Sequence, residues 1–260
     1  MGYLEAFIYG AVQGLTEYLP ISSSAHLILL PHFLGTPDPG LTFDVFLHFG
    51  TLFSTLVYFR KDWWNLFHPG RVQKREISLQ HLVIGTIPAL IAGFLLNDLA
   101  ETVFRDVAVL VWTLSLGGVA LYLFDYFGKK SKTLKKFTLR DALWVGILQC
   151  FALIPGVSRS GSTMIGGLIR GLNRESAARF SFLLSAPVTG AAVVYKMKDL
   201  DLLLQSDVSS LSLVIAMVSS FLFGCIAIGG MLRMLRKLSY LSFGLYRIAL
   251  AMIVYSFYLS

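Results

Sequence analysis

The chain has 260 residues, of which 55% are apolar and only 14% are charged, and its mean hydropathy is +0.69. This composition excludes an ordinary soluble globular protein and indicates an integral membrane protein. The formal net charge of +7 comes mainly from Lys and Arg in short segments between apolar stretches, which is typical of membrane topology, so no nucleic-acid partner is expected.

The first predicted element is a broken apolar segment, residues 3–34, which Pro20 and three following serines interrupt. Because Pro ends a helix, this segment favours two half-helices that enter the membrane and return over one continuous span. Irregular backbone at membrane depth is tolerated only where it is buried in protein or lines an aqueous cavity. Three stretches long enough to span a bilayer follow, at about 41–59, 79–97 and 106–124.

The second half of the chain repeats this order. A basic loop at 125–140 leads to a second broken segment at 141–172, which contains Pro155-Gly156. Three further apolar stretches follow, at about 177–195, 209–232 and 241–259. The sequence therefore predicts a single all-α polytopic membrane domain with about six transmembrane helices and two re-entrant helix hairpins.

The two halves share a spacing that indicates an internal duplication. In each broken segment a Gln precedes the first Ser of the loop by nine residues, at 13 and 22 and again at 149 and 158. A Tyr near the end of a later span follows that Ser by 36 residues in the first half and by 37 in the second. Repeat one is placed at about 3–124 and repeat two at about 141–259. Because three spans separate the hairpins, the repeats are predicted to be inverted, with the hairpins opening on opposite sides.

The distribution of basic residues predicts the orientation. With both broken segments treated as hairpins, one face receives three basic residues, namely Arg105, Lys196 and Lys198. The other face receives fifteen: Arg60, Lys61, Arg71, Lys74, Arg75, Lys129, Lys130, Lys132, Lys135, Lys136, Arg140, Arg174, Arg233, Arg236 and Lys237. Full spans in place of hairpins would give thirteen against five. The positive-inside rule therefore favours hairpins, and it places both termini and the first hairpin's mouth on the outer, periplasmic side.

Glu17 is the first candidate for chemistry. An ionisable residue at membrane depth is by default a functional-site hypothesis, and the alternative is a Glu that reaches the interface. Gln13 lies one helical turn earlier on the same face. A carboxylate beside an amide suits a hard cation such as Mg²⁺ or Ca²⁺, and a carboxylate also suits a general base.

His26 follows the serine triplet Ser22-Ser23-Ser24. An imidazole within reach of a hydroxyl is the minimal pair of nucleophile and base. The alternative is a satisfied core residue, since the chain carries four more histidines: His32, His48, His68 and His81.

Arg159 lies in the second loop, in the string Ser158-Arg159-Ser160-Gly161-Ser162. A guanidinium offers planar bidentate donors to phosphate, and N–H groups at a helix N-terminus add further donors. The string therefore predicts an oxyanion site. The alternative is a structural ion pair between Arg159 and Glu17, and such a pair could open around a phosphate.

The strings Gln-Gly-x-x-Glu-x-x-Pro-x-Ser-Ser-Ser-x-His at 13–26 and Pro-Gly-x-Ser-Arg-Ser-Gly at 155–161 closely resemble the signature loops of the undecaprenyl-diphosphatase family, also called bacitracin-resistance proteins. The resemblance covers essentially the whole chain. It implies interlocked inverted repeats with two re-entrant hairpins in the bacterial inner membrane. It also implies a phosphatase that removes the terminal phosphate of undecaprenyl diphosphate, a polyprenyl diphosphate lipid, and so recycles the lipid carrier of cell-wall synthesis.

The resemblance assigns roles to individual residues. The catalytic set it implies is Glu17, Ser23, His26 and Arg159. The substrate-binding set is Ser22, Ser24, Ser158, Ser160, Gly161 and Ser162. The family's requirement for Mg²⁺ or Ca²⁺ implies a cation at Glu17, with Gln13 as a weaker second ligand. Many members have Glu where this chain has Gln13, which shifts the acid–base load onto Glu17 and His26.

Three versions of phosphoanhydride hydrolysis follow from these residues. The favoured version has Ser23 as nucleophile and His26 as base, the second has His26 attacking directly, and the third has a water activated by Glu17. The rival function is a lipid-phosphate flippase or another inverted-repeat transporter, which would need neither Ser23 nor His26 to break a bond. The sequence does not give the oligomeric state, and a homodimer is one possibility.

Overall fold

The computed structural model describes residues 1–68, 76–96, 107–204 and 208–258. Within these ranges the chain forms α-helices and short 3₁₀ turns, with no β-strand. The helices are α1 Tyr3–Tyr18, α2 Ser23–Leu34, α3 Gly40–Tyr58, α4 Arg60–Phe67, α5 Leu79–Leu95, α6 Val107–Phe127, α7 Leu139–Gln149, α8 Arg159–Ile169, α9 Arg174–Lys196, α10 Leu200–Leu204, α11 Ser210–Met234 and α12 Leu241–Tyr258. Four basic residues of the charge count lie outside the described residues: Arg71, Lys74, Arg75 and Arg105.

The predicted fold class, an all-α polytopic membrane protein, is confirmed. Four helical segments are long and apolar enough to cross a bilayer: Gly40–Tyr58, Val107–Phe127, Arg174–Asp199 and Ser210–Met234. The two other predicted spans form shorter apolar helices, Leu79–Leu95 and Leu241–Phe257. Both broken segments form pairs of short helices, α1 with α2 and α7 with α8.

The same unusual turn begins the second helix of each pair. Ser22 has a φ of 71° and Ser158 a φ of 74°, a left-handed region that side chains with a Cβ rarely adopt. Each Ser caps its helix: Ser22 Oγ accepts from the Ala25 N–H at 3.4 Å, and Ser158 Oγ accepts from the Gly161 N–H at 3.1 Å. Two strained turns at matching positions support the internal duplication, whose outer boundaries stay a prediction.

Helix α11 shows at which end of the bundle each hairpin opens. Near its start, Ser212 Oγ donates to the carbonyl of Met1, just before α1, at 3.1 Å. Beyond its other end, Arg236 Nη2 donates to Glu175 in the first turn of α9 at 3.3 Å. Glu175 follows Arg170 by five residues in the sequence. The Nε of Arg170 donates to Asp141, at the start of α7, at 2.7 Å, and this contact joins the two ends of the second hairpin. The two hairpins therefore enter from opposite ends.

Glycines bring α1 and α3 close to α11. A Cβ at Gly14 of α1 would lie 2.5 Å from the Ser220 carbonyl oxygen, and one at Gly50 of α3 would lie 2.2 Å from the Met217 carbonyl oxygen. Small residues at helix crossings let backbones approach closely within a membrane. The close crossings fix the end of α1, which carries Glu17, against the middle of α3.

Candidate active site

The tips of the two hairpins meet inside the helix bundle. Ser160 Oγ, in the second loop, donates to the carbonyl of Leu19 in the first loop at 2.9 Å. In return, the Gly156 N–H of the second loop donates to Ser22 Oγ at 3.1 Å. The tip of each loop therefore depends on the other for its hydrogen bonds.

The Glu17 carboxylate lies at the centre of this junction and is buried. Its Oε1 accepts from Arg159 Nη2 of the second hairpin at 2.5 Å. Its Oε2 accepts from Gln13 Nε2 at 3.0 Å and from Ser23 Oγ at 2.7 Å. Glu17 and Arg159 thus form the ion pair that the sequence left open as an alternative, and Ser23 is hydrogen bonded to the same carboxylate.

Arg159 is fixed by a second contact as well as by Glu17. Its Nη1 donates to the Ser181 carbonyl of α9 at 3.1 Å, and Ser181 Oγ lies 2.6 Å from Thr163 Oγ1 of α8. Arg159 is also the first residue of α8, and Ser23 is the first residue of α2. Two helix N-termini, with their partial positive charge, therefore point to the place where the guanidinium and the hydroxyl meet, which favours an anion there.

The structure gives Ser23 and His26, the predicted nucleophile and base, different hydrogen-bond partners. The His26 Nδ1–H donates to the Ser22 carbonyl at 2.7 Å, and Nε2 lies 2.7 Å from Tyr246 Oη on α12. The Ser22 carbonyl also accepts from the backbone N–H of His26 at 3.3 Å, and the second bond, from the ring, turns the imidazole toward α12. Ser23 donates to Glu17 instead. A catalytic role of His26 by direct attack stays a prediction.

The residues predicted to bind substrate contact one another at the junction, and their role in binding substrate stays a prediction. Ser24 Oγ lies 3.1 Å from Ser22 Oγ, and Ser158 Oγ lies 3.2 Å from Ser160 Oγ. The Ser162 N–H donates to the Ser158 carbonyl at 2.9 Å, and Ser162 is buried in α8. The hydroxyls therefore shape the two strained turns, and Ser23 and Ser24 are the partly exposed members of the first triplet.

His48 is a site residue that the sequence interpretation missed. Its Nε2 lies 3.4 Å from Glu17 Oε2, and its Nδ1–H donates to the Asp44 carbonyl one turn earlier in α3 at 2.7 Å. The second contact fixes the orientation of the ring, so the other nitrogen is aimed at the carboxylate. An imidazole in the middle of an apolar span carries the same signal that singled out Glu17.

Arg247 of α12 is the second missed residue, and it is fully buried. Its guanidinium donates to the carbonyls of Pro20 in the first loop (3.3 Å) and Gly156 in the second loop (2.8 Å). It also donates to the carbonyls of Thr113 (3.1 Å) and Leu114 (3.3 Å) in α6. One side chain therefore joins both hairpin tips to a transmembrane helix.

The oxygen donors beside Glu17 can be tested against the divalent cation that the resemblance implies. Gln13 is buried, and its Oε1 has no hydrogen-bond partner within the described residues. No group of three or more His, Cys, Asp or Glu side chains in the described ranges could hold a metal ion. The protein thus offers one amide oxygen and one carboxylate. This set fits Mg²⁺, which commonly takes one or two protein donors and completes its shell with water and substrate phosphate.

Comparisons with known proteins agree with the motifs. The chain matches the family described as "Bacitracin resistance protein BacA" over residues 6–253. It is 44% identical over 260 residues to an undecaprenyl-diphosphatase of Gemmatimonas aurantiaca, which covers 97% of this chain and 96% of the relative. An undecaprenyl-diphosphatase of Moorella thermoacetica is 44% identical over 257 residues (98% and 97%), and one of Idiomarina loihiensis is 42% identical over 265 residues (98% of each).

Proposed function

The chain belongs to the bacitracin resistance protein family, and from this membership we propose that it hydrolyses undecaprenyl diphosphate to undecaprenyl phosphate and inorganic phosphate. One observation carries the assignment of the site. A single carboxylate, Glu17, is bound at once by a hydroxyl of its own hairpin, Ser23, and by a guanidinium of the opposite hairpin, Arg159. Nothing in the structure or among the relatives favours the flippase alternative.

Substrate binding starts with Arg159. A terminal phosphate offers a guanidinium two bidentate oxygens and more negative charge than one carboxylate. Arg159 therefore leaves Glu17 and holds the phosphoryl group that is transferred. Because Glu17 then has one charged donor fewer, its oxygens are free to take the proton of Ser23. In this way the arrival of the diphosphate activates the nucleophile.

The chemistry then proceeds in two displacements. Ser23 Oγ loses its proton to Glu17 and bonds to the terminal phosphorus, while the phosphoanhydride bond breaks and its electron pair leaves with undecaprenyl phosphate. A water then attacks the phosphoserine, and Glu17 returns the proton to Ser23 Oγ. Both protons of the water stay on the inorganic phosphate. Arg159 and the two helix N-termini stabilise the charge on the transferred group throughout.

A divalent cation, when bound beside Gln13 and Glu17, supplies further neutralisation of the diphosphate charge. The unpartnered Gln13 Oε1 supports this proposal, since it is a buried acceptor next to the carboxylate. His48 has a positioning role, because its ring is fixed by Asp44 and aimed at Glu17.

We also propose that the site is reached from the periplasmic face of the inner membrane. The open end of the second hairpin is surrounded by basic side chains, among them Lys132 and Arg170, which both form ion pairs with Asp141. By the positive-inside rule this end faces the cytoplasm. The first hairpin, with Glu17 and Ser23, then opens outward. Labelling of a cysteine placed beside Met1 by an impermeant thiol reagent in intact cells tests this orientation. The homodimer stays a prediction, which native mass spectrometry tests.

Replacing Ser23 by Ala should reduce phosphate release from a lipid diphosphate in detergent by at least about 10³-fold, because the attacking oxygen is removed. Ser242→Ala is the control, since Ser242 is exposed at the start of α12 and its hydroxyl donates to the nearby Ser239 carbonyl, away from the junction. We expect that variant to stay within about fivefold of the unmodified protein. Full release by the Ser23 variant would exclude Ser23 as the nucleophile.

A further inference from the structure

A cavity of about 320 Å³ lies away from the hairpin junction, where the ends of α3 and α11 meet α4 and the first turns of α9. Its volume is within the range of about 300–1,000 Å³ that is common for small-molecule sites. The polar side chains of its wall are Tyr58, Asp62, Glu175, Arg179, Arg233 and Arg236. None of them takes part in the proposed hydrolysis.

The wall carries three guanidinium groups against two carboxylates. Arg179 Nη2 donates to Asp62 at 2.5 Å, and Arg236 Nη2 donates to Glu175 at 3.3 Å, so two of the three cations are paired. The side chain of Arg233 makes no hydrogen bond or ion pair with any residue in the described part of the chain. The cavity therefore has an excess of one positive charge, and Arg233 supplies a guanidinium with all its donors available.

The position of the cavity decides which anion it suits. It lies at the ends of helices that cross the bilayer, and Val57 and Tyr58 beside it expose 44% and 40% of their surface. Exposed apolar side chains next to a basic cavity place the cavity at the boundary between acyl chains and headgroups. Basic pockets between transmembrane helices recognise anionic lipid headgroups through their phosphates. We infer that this cavity binds the phosphate of one anionic phospholipid, with Arg233 as its principal ligand.

Binding of one lipid can be counted by native mass spectrometry of the detergent-solubilised protein, titrated with phosphatidylglycerol or with zwitterionic phosphatidylcholine. We expect one tightly bound phosphatidylglycerol and at least about tenfold weaker retention of phosphatidylcholine. Arg233→Gln should weaken retention of phosphatidylglycerol by about tenfold, because a charge-assisted phosphate contact is lost. Lys237→Gln is the matched control, since it removes the same charge at the same helix end but outside the cavity wall.

Two kinds of result would overturn the inference. One is equal retention of phosphatidylglycerol by the unmodified protein and by Arg233→Gln, or equal loss in both variants. The other is displacement of the bound lipid by millimolar inorganic phosphate, which would assign the cavity to free phosphate. Hydrolysis of a lipid diphosphate should be unchanged in Arg233→Gln, because Arg233 lies outside the junction of the hairpins. The lipid measurement therefore stands or fails independently of the proposed hydrolysis.

Discussion

Glu17→Gln should lower the turnover number for release of phosphate from undecaprenyl diphosphate by at least about 10²-fold. The variant keeps the size of the side chain but loses the base that accepts the Ser23 proton, and general-base catalysis contributes about 10²–10⁴-fold. With the divalent cation at a saturating concentration the KM should not rise, because Gln competes less well than a carboxylate for Arg159, which then binds phosphate more readily. A loss of kcat without a rise in KM is the signature of a base that also restrains the phosphate ligand.

Glu5→Gln is the matched control for this change. Glu5 lies on the same helix, and its carboxylate accepts from the Gly2 N–H at the exposed start of α1; activity should stay within about twofold. A second readout needs no turnover: Mn²⁺ binding in the presence of a non-hydrolysable lipid diphosphate, followed by electron paramagnetic resonance, should weaken in Glu17→Gln. An unchanged kcat in Glu17→Gln would show that Glu17 is not the catalytic base. Unchanged Mn²⁺ binding would show that Glu17 is not a ligand of the cation.

Arg247→Met should lower the thermal unfolding temperature in detergent by roughly 6–12 °C. Met fills a similar volume but leaves the carbonyls of Pro20 and Gly156 buried without their donor. Each buried unsatisfied group costs about 1–3 kcal/mol, and a loss of about 3 kcal/mol in a chain of this size corresponds to that shift. Activity should also fall, because both hairpin tips lose the side chain that joins them.

The control for Arg247 is Arg236→Met, which removes an exposed guanidinium and its pair with Glu175. Exposed ion pairs contribute about 0–1 kcal/mol, so the unfolding temperature should change by no more than about 4 °C. Arg247→Lys keeps the charge but cannot reach four carbonyls with one ammonium group, so it should lie between the two variants. If Arg247→Met unfolds at the same temperature as the unmodified protein, the hydrogen bonds of Arg247 do not stabilise the two loops.

The sequence was sufficient to predict what hydropathy and spacing control. The broken segments at Pro20 and Pro155-Gly156 became helix hairpins, because Pro disfavours a continuous helix and serines or Gly follow it there. Pro alone is not sufficient, since Pro31, Pro88 and Pro187 lie inside helices. The equal spacing from Gln to Ser also has a structural counterpart in the positive φ of Ser22 and Ser158. The residues that follow these two serines, Ser23 and Arg159, therefore occupy the same position in the two copies. The duplication thus places a hydroxyl opposite a guanidinium.

The partners of the side chains could not be predicted in the same way. His26 follows Ser23 by three residues and was expected to face it, yet Tyr246, far along the chain, and the Ser22 carbonyl take both ring nitrogens. His48 reaches Glu17 only because glycines bring α1 and α3 together against α11. These contacts depend on tertiary packing, which no local spacing reveals. Arg247, in contrast, was visible as an ionisable residue inside an apolar stretch.

In the proposed mechanism Ser23, activated by Glu17 of the same hairpin, carries the phosphoryl group before water does. The stereochemistry at phosphorus tests it most directly. A lipid diphosphate whose terminal thiophosphoryl group is made chiral with oxygen isotopes is hydrolysed by the unmodified protein, and the configuration of the inorganic thiophosphate is determined. Two successive displacements predict retention of configuration. Inversion would show that water attacks phosphorus directly and would contradict a phosphoserine at Ser23.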